Sequence, residues 1–281
     1  MVNPDDNFVW VGGDGDWDTV ANWEQCGDPA TSVPTNSDTA IIDVPGVIVT
    51  ASSKVIFRNG GSLTIGSCVT LEINVSDNAA IQLSGTPGGT LINSGYIKAT
   101  NTRTDANSNG IFANVNSIIT NNGIIEGINN TAGNYGIKNQ GSFTNDGIVI
   151  ADPLNLINAN FINNGTVYTD NEVLGTGAST VNPLGLSSAP INAHPSITGR
   201  DTTMCAGQAL DLSSLLNGDT ANVLQYGTTY GSFSTSGGVV NPTTNTTYYV
   251  RDSSETTMCV DTAEIIVTVT PAPSIIGRDT T

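Results

Sequence analysis

The sequence has little charge, and most of the charge it has is negative. Its 281 residues include 8 Lys and Arg against 25 Asp and Glu, which gives a formal net charge of -17 at pH 7. Nucleic-acid binding requires clustered basic side chains that neutralise phosphates, and an anionic membrane surface repels an acidic protein. We therefore expect no nucleic-acid partner and no binding to an anionic membrane.

Long apolar runs and histidines are also scarce. The longest apolar run, 265–269, has the length of a strand and falls far short of the roughly 20 residues of a membrane helix, so no membrane insertion is expected in this segment. Residues 1–6 lack the basic start and apolar stretch of a signal peptide, and we expect either that such a segment was removed or that the chain is a piece of a longer protein. The single His194 lies in a proline-containing stretch. We therefore predict no catalytic residue and no enzyme.

The residues that replace the missing charge are Gly, Asn, Thr and Ser. These residues are poor helix formers, which predicts an all-β protein. A direct repeat then divides the chain, because residues 195–203 return at 273–281 with Ile276 in place of Thr198. We predict a cap region at 1–50, a β-solenoid at 51–185, a linker at 186–195, a β-sandwich at 196–272 and the start of a second such domain at 273–281.

The N-terminal part contains an imperfect Asn-x-Gly repeat, which begins at Asn93, Asn121, Asn145 and Asn163. Two architectures are consistent with it, a meander of hairpins or one coil per repeat of a β-solenoid, here a right-handed β-helix. Short strands, reused turn residues and elastic spacing favour the solenoid. Asn tolerates left-handed turns and can also stack in ladders between coils.

All three tryptophans, Trp10, Trp17 and Trp23, precede the first predicted coil. A solenoid needs an end cap over its first coil, and three large apolar rings suit that position. The alternative is an aromatic platform that contacts a carbohydrate ligand. The cap is the better interpretation, because the tryptophans are interleaved with Gly and turn residues.

Four cysteines fall into two separated sets, Cys26 with Cys68 and Cys205 with Cys259. An even number in an acidic chain favours disulfides and export, while buried thiols remain an alternative. Zinc is less consistent with the spacing, since no Cys-x-x-Cys motif is present.

Asp14, Asp16 and Asp18 alternate along one loop, a spacing by which carboxylates can converge on a cation such as calcium. The alternative is an acidic, solvated turn. Calcium is the only cofactor that the sequence suggests.

Several motifs resemble known surface proteins. Trp10-x-Gly12, Asn22-Trp23 and residues 38–42 resemble the opening of bacterial surface β-helix proteins. Residues 203–208, 246–250 and 259–263 resemble the Ig-like repeats of giant cell-surface adhesins of Bacteroidota. The resemblance implies export, a Cys205–Cys259 disulfide, and a long extracellular fibre in which a β-helical tip precedes tandem Ig-like domains.

These observations favour a structural and adhesive segment of an extracellular fibre that contacts other cells or surfaces. Such fibres can form homo-oligomers or bundles, and a cell-surface or glycan target is expected. The alternative is a carbohydrate-binding or carbohydrate-cleaving β-helix carried on Ig-like spacers. Ice binding by rows of Thr is not favoured, because the repeats contain Asn-x-Gly and no regular Thr-x-Thr.

Overall fold

The structure is a computed structural model of the chain and describes residues 7–105, 108–129, 131, 134–156, 160–174, 196–219, 223–253 and 259–270. The chain divides into two units, residues 1–193 and 194–281. The predicted linker at 186–195 and the predicted second repeat at 273–281 lie outside the described residues, as does His194. The described helical segments are two short 3₁₀ turns, Val20–Asn22 and Leu212–Leu215.

The first unit consists of short strands. In chain order they are β1 (Asn7–Trp10), β2 (Gly15–Asp16), β3 (Trp23–Gln25), β4 (Asp28–Pro29), β5 (Thr39–Ile42), β6 (Ile48–Ala51), β7 (Val55–Arg58), β8 (Ser62–Ile65), β9 (Thr70–Val75), β10 (Ala79–Ser84), β11 (Thr90–Asn93), β12 (Tyr96–Asn101), β13 (Asn109–Ala113), β14 (Ile118–Asn121), β15 (Ile124–Ile128), β16 (Tyr135–Asn139), β17 (Ser142–Asn145), β18 (Ile148–Asp152), β19 (Leu154–Leu156), β20 (Asn160–Asn163), β21 (Thr166–Tyr168) and β22 (Glu172–Leu174).

These strands form three sheets that are wound as a β-solenoid. Sheet A has the order β20-β17-β14-β11-β8-β5-β1-β3-β4, sheet B the order β2-β6-β9-β12-β15-β18-β21, and sheet C the order β22-β19-β16-β13-β10-β7. Each coil supplies one strand to each sheet, and successive coils pair in parallel, as β8 does with β11. A hairpin meander would pair antiparallel. The solenoid prediction is therefore confirmed, and the meander alternative is wrong.

Alternation along each strand separates the core from the surface. Strand β12 alternates between half-exposed and buried positions, as do the strands stacked beside it. In sheet A the inward side chains of successive coils form a row in which every member is at most 1% exposed: Leu63, Leu91, Ile119, Phe143 and Phe161. The Phe143 and Phe161 rings meet edge to face with centroids 5.1 Å apart. The core is thus one apolar stack that runs along the solenoid.

A ladder of asparagines, three buried and the last one half-buried, closes one corner of the solenoid. Asn93 donates to the side-chain oxygen of Asn121 at 2.8 Å, Asn121 donates to Asn145 at 2.7 Å, and Asn145 donates to Asn163 at 2.7 Å. Each of these residues is the last one of its strand in sheet A. The predicted stacking of Asn between coils is therefore confirmed. The ladder ties neighbouring coils together and fixes their register.

The glycines of the same repeat are needed for space. A Cβ atom on Gly123 would collide with the backbone oxygen of Gly95, and one on Gly147 would collide with that of Gly123. None of these three glycines has a positive φ, and neither do the asparagines of the ladder. The expectation of left-handed turns at Asn-x-Gly is therefore wrong at these positions. The backbones of successive coils pass too closely there for any side chain.

The second unit is also all β. Its strands are β23 (Ser196–Gly199), β24 (Thr202–Cys205), β25 (Leu210–Asp211), β26 (Leu216–Asp219), β27 (Val223–Thr229), β28 (Ser232–Ser234), β29 (Val239–Val240), β30 (Thr246–Ser253) and β31 (Val260–Thr270). They form a five-stranded sheet, β24-β31-β30-β27-β28, and two pairs, β23-β26 and β25-β29. The core of this unit contains Leu212, Tyr248, Val250, Ile265 and Val267.

Candidate functional site

The expected Cys205–Cys259 disulfide is wrong. Cys259 is disulfide-bonded, whereas Cys205 is an exposed free thiol. Strand β24 runs parallel to β31 with Cys205 opposite Thr270, while Cys259 precedes the other end of β31. At about 3.3 Å per residue, this register separates Cys205 and Cys259 by ~36 Å. A disulfide requires Cα atoms within about 7 Å.

The other expected pair is also too far apart. Cys26 follows β3 and Cys68 follows β8, and strands β1 and β5 of sheet A lie between them. Three strand spacings amount to about 14 Å, so Cys26 and Cys68 do not form the bridge that one pair per domain would require.

The three carboxylates of the acidic loop accept hydrogen bonds from three different groups. Asp14 accepts a hydrogen bond from the backbone amide of Ile48 at 2.8 Å, and Asp16 accepts one from the backbone amide of Asp18 at 2.7 Å. Asp18 accepts from the hydroxyl of Ser53. Within the part of the chain that the structure describes, no group of three acidic, His or Cys side chains could hold a metal ion. Asp14 and Asp18 connect the N-terminal loop to strand β6 and the turn after it, while the Asp16 carboxylate bonds within the loop.

The three tryptophans are buried at the first end of the solenoid. Trp23 packs edge to face against Trp10 at 5.1 Å and against Trp17 at 4.8 Å between ring centroids. Its indole N–H donates to the backbone oxygen of Trp17. All three are 1–3% exposed and belong to the solenoid core. No indole face is therefore open to a sugar, and the position at the end of sheet A is that of a cap.

The most distinctive surface is the outward side of sheet A. Seven of its strands pair in parallel, and each places two side chains outward. One row contains Asn7, Thr39, Ser62, Thr90, Ile118, Ser142 and Asn160; the other contains Val9, Ile41, Thr64, Ile92, Thr120, Thr144 and Ile162. We call these two rows the uncharged face, because they contain hydroxyl, amide and aliphatic side chains and no ionisable group.

The uncharged face is accessible. Ile118 and Ile162 are 48% and 46% exposed, while Thr64 and Thr120 are half-buried between their neighbours. β-branched residues have few side-chain rotamers, which makes the surface stiff. Two rows of short, stiff side chains on an in-register ladder form a surface with a regular repeat.

The other two sheets carry charge. On sheet B, Glu72, Lys98 and Glu126 form one outward row. The hydroxyl of Tyr96 donates to the Glu126 carboxylate, and burial together with this carboxylate raises the pKa of Tyr96 far above its ordinary value. The absence of ionisable side chains is thus specific to the seven parallel strands of sheet A, since its antiparallel strands β3 and β4 contain Glu24 and Asp28.

Sheet C carries a small aromatic and basic patch. The ammonium of Lys138 lies 5.9 Å from the ring centroid of Phe112 and 5.7 Å from that of Tyr135. All three side chains are half-buried. Such cation–π contacts stabilise a surface lysine. The two aromatic rings are also of the kind on which a sugar could stack.

Sequence reasoning missed the uncharged face. The signal was present as strands of the form Ser/Thr-x-Ile/Thr, such as 90–92 and 142–144, each placed directly before an Asn-x-Gly segment. The Asn and Gly of the Asn-x-Gly repeat lie at a corner of the solenoid and do not belong to this face. The outward side chains become visible as rows only when the register between coils is known.

Comparison with known proteins finds no matching family model, curated protein or solved structure. Among the described residues, no helix has the length and hydropathy needed to cross a membrane.

Proposed function

We propose that this chain is a structural and adhesive segment of an extracellular or cell-surface fibre, and that its uncharged face makes the contact with other cells or surfaces. The proposed role is non-enzymatic. The observation that carries it is the absence of ionisable groups from the two outward rows along seven parallel strands of a solenoid whose chain has a net charge of -17. A neutral, stiff, extended surface can approach another surface closely without desolvating charge.

The remaining parts of the proposal concern the second unit and the assembly. We propose that the second unit is an Ig-like β-sandwich that acts as a spacer, that the solenoid is a right-handed β-helix, and that copies bundle into fibres. The parallel crossovers of the coils support right-handed winding, since such connections are almost always right-handed. The antiparallel order β27-β30-β31 and a core shared with β25 support the sandwich. The sequence resemblance supports export.

Adsorption measured by quartz crystal microbalance tests the adhesive role. We expect the protein to adsorb to hydroxyl-terminated and methyl-terminated monolayers but not to a carboxylate-terminated one. The Thr120→Lys variant should bind about tenfold more weakly, because a charge must be desolvated on contact. Thr100→Lys, on the outward side of sheet B, is the matched control and should adsorb as the unmodified protein does. Equal loss in both variants would contradict the proposal.

A carbohydrate-binding solenoid is the second candidate, and the Phe112, Tyr135 and Lys138 patch on sheet C favours it. Titration calorimetry with a neutral and a carboxylated oligosaccharide tests this function. Binding that is lost in Tyr135→Ala but kept in Thr120→Lys would assign a sugar site to sheet C. No heat with either saccharide would remove this candidate.

A further inference from the structure

We infer that the uncharged face binds ice, an inference that rests on the proposed adhesive function and names the surface that this face contacts. Three properties of the face carry it: its two-dimensional repeat, its chemistry and its rigidity.

The repeat of the face is short in both directions. Neighbouring strands of a sheet are about 4.8 Å apart, and residues i and i+2 of one strand are about 6.7 Å apart. Outward pairs such as Thr39 with Ile41, Ser62 with Thr64, and Ser142 with Thr144 repeat at these spacings without a shift in register. A dissolved small molecule would contact one such pair. An extended solid with a molecular repeat of a few ångströms can contact all of them at once, and many weak contacts then add to a stable attachment.

The chemistry of the face suits a neutral solid made of water. Thr and Ser offer a hydroxyl that both donates and accepts hydrogen bonds, and Thr also offers a methyl group next to it. The exposed neighbours of these hydroxyls include aliphatic side chains such as Ile92 and Ile118. Water next to the hydroxyls therefore does not bind to an ionic group of the face instead. An ionised side chain would orient its own hydration shell, and that shell would not fit a crystal lattice. The two rows contain no such side chain.

The same rows argue against a carbohydrate at this face. Sugar rings are held mainly by aromatic side chains that cover their apolar sides. The uncharged face contains no Trp, Tyr or Phe, because the aromatic residues of these strands point inward and are at most 2% exposed: Phe8, Trp10, Phe143 and Phe161.

The rigidity of the face comes from the groups that flank it. Asn93, Asn121, Asn145 and Asn163 end four of the strands that carry it, and their ladder prevents one coil from sliding along the next. At the other end of the strands, Gly89 lies so close to the backbone of Phe57 that no side chain fits. A surface that is fixed before binding loses little conformational entropy when it binds a lattice.

The sequence alone pointed away from ice, because the visible repeat was Asn-x-Gly. The structure places those residues at the corner and places Thr, Ser and Ile on the flat side. The Asn-x-Gly repeat, which argued against ice binding, therefore consists of residues that ice would not contact.

Partitioning into growing ice tests the inference. A solution of the purified chain is frozen slowly onto a seeded ice surface, and protein is measured by absorbance in the ice and in the remaining liquid. Thermal hysteresis is measured on the same samples. We expect enrichment of the unmodified protein in the ice, and we expect Thr64→Lys and Thr120→Lys to reduce the hysteresis about tenfold. Thr100→Lys on sheet B should leave both quantities unchanged, and thermal melting shows whether each variant is folded.

Exclusion of the folded, unmodified protein from ice would overturn the inference, and so would an equal effect of Thr100→Lys. If the protein is excluded from ice but still adsorbs to the hydroxyl-terminated monolayer, ice is the wrong surface and the adhesive function stands. If it neither enters ice nor adsorbs, both proposals fail.

Discussion

Asn121 illustrates how a single buried amide connects three coils. Its side chain accepts from Asn93, donates to Asn145, and donates to the backbone oxygen of Ile148 at 2.9 Å. Asn93, Asn121 and Asn145 are all 0% exposed, so water does not reach these three amides. A hydrocarbon side chain at this position would leave several polar groups buried and unsatisfied.

We therefore expect Asn121→Ala to lower the free energy of unfolding by about 3 kcal/mol, since each unsatisfied buried group costs about 1–3 kcal/mol. Asn122→Ala is the control, because Asn122 is the next residue in the chain and its side chain is exposed. Urea denaturation followed by circular dichroism measures both. A change in Asn121→Ala no larger than in the control would show that the ladder does not stabilise the fold.

Gly123 lies where the backbones of two neighbouring coils approach each other closely. A methyl group there would collide with the backbone oxygen of Gly95, whereas nothing lies within 4 Å of a Cβ at Gly13. Neither glycine has a positive φ, so the comparison isolates space from conformation.

We expect Gly123→Ala to destabilise the protein by about 3 kcal/mol, at the upper end of overpacking costs, because the neighbour is backbone and cannot rotate away. Gly13→Ala should change stability by less than about 0.5 kcal/mol. Thermal melting of the two variants distinguishes them, and similar melting temperatures would mean that the coils can separate to admit the methyl group.

At the scale of strands, register decides which residues meet. Strands β24 and β31 lie more than 50 residues apart in the sequence and are neighbours in the five-stranded sheet. The parallel pairing of β24 with β31 then places Cys205 beside Thr270, whose hydroxyl lies 3.8 Å from its sulfur. Spacing along the chain carries no information on this outcome.

Thiol titration with Ellman's reagent, without reductant, tests the register. We expect Cys205→Ser to consume one equivalent of reagent less than the unmodified protein, because Cys205 is an exposed thiol. Its unfolding free energy should stay within about 0.5 kcal/mol of the original, whereas loss of a native disulfide costs about 2–5 kcal/mol. One equivalent more would place Cys205 in a bridge, because the substitution would then release the thiol of its partner.

At the scale of the whole molecule, the net negative charge and the uncharged face have opposite effects on self-association. A net charge of -17 makes copies of the chain repel, while the uncharged face allows two copies to approach. Raising the ionic strength from about 10 mM to about 150 mM shortens the screening length from ~30 Å to ~8 Å, which weakens the repulsion.

We expect sedimentation velocity to show more self-association at the higher ionic strength. Ile118→Lys, with a 48% exposed side chain on the uncharged face, should reduce this association, and Val115→Lys, with a 62% exposed side chain in a turn, should not. Association that is independent of salt, or is reduced equally by both variants, would mean that copies meet through another surface.

The sequence by itself determined the class of this protein. Its shortage of charge and of helix formers, its alternating strands and its spaced Asn-x-Gly repeats indicate an all-β chain with a solenoid, and they placed Asn in ladders and Trp at the N-terminal end. These features are local, since they depend on backbone preference and on alternation within a few residues.

Only the tertiary structure decided which side chains come together. The register between coils aligned Thr, Ser and Ile into the uncharged face, although they are 18 or more residues apart, and it assigned the glycines to close contacts. It also kept Cys205 away from Cys259 and gave Asp14, Asp16 and Asp18 separate partners. The physical reason is that the hydrogen-bond register between two strands determines which distant residues become neighbours, and a shift of one residue changes every pair. The sequence of a single chain does not specify this register.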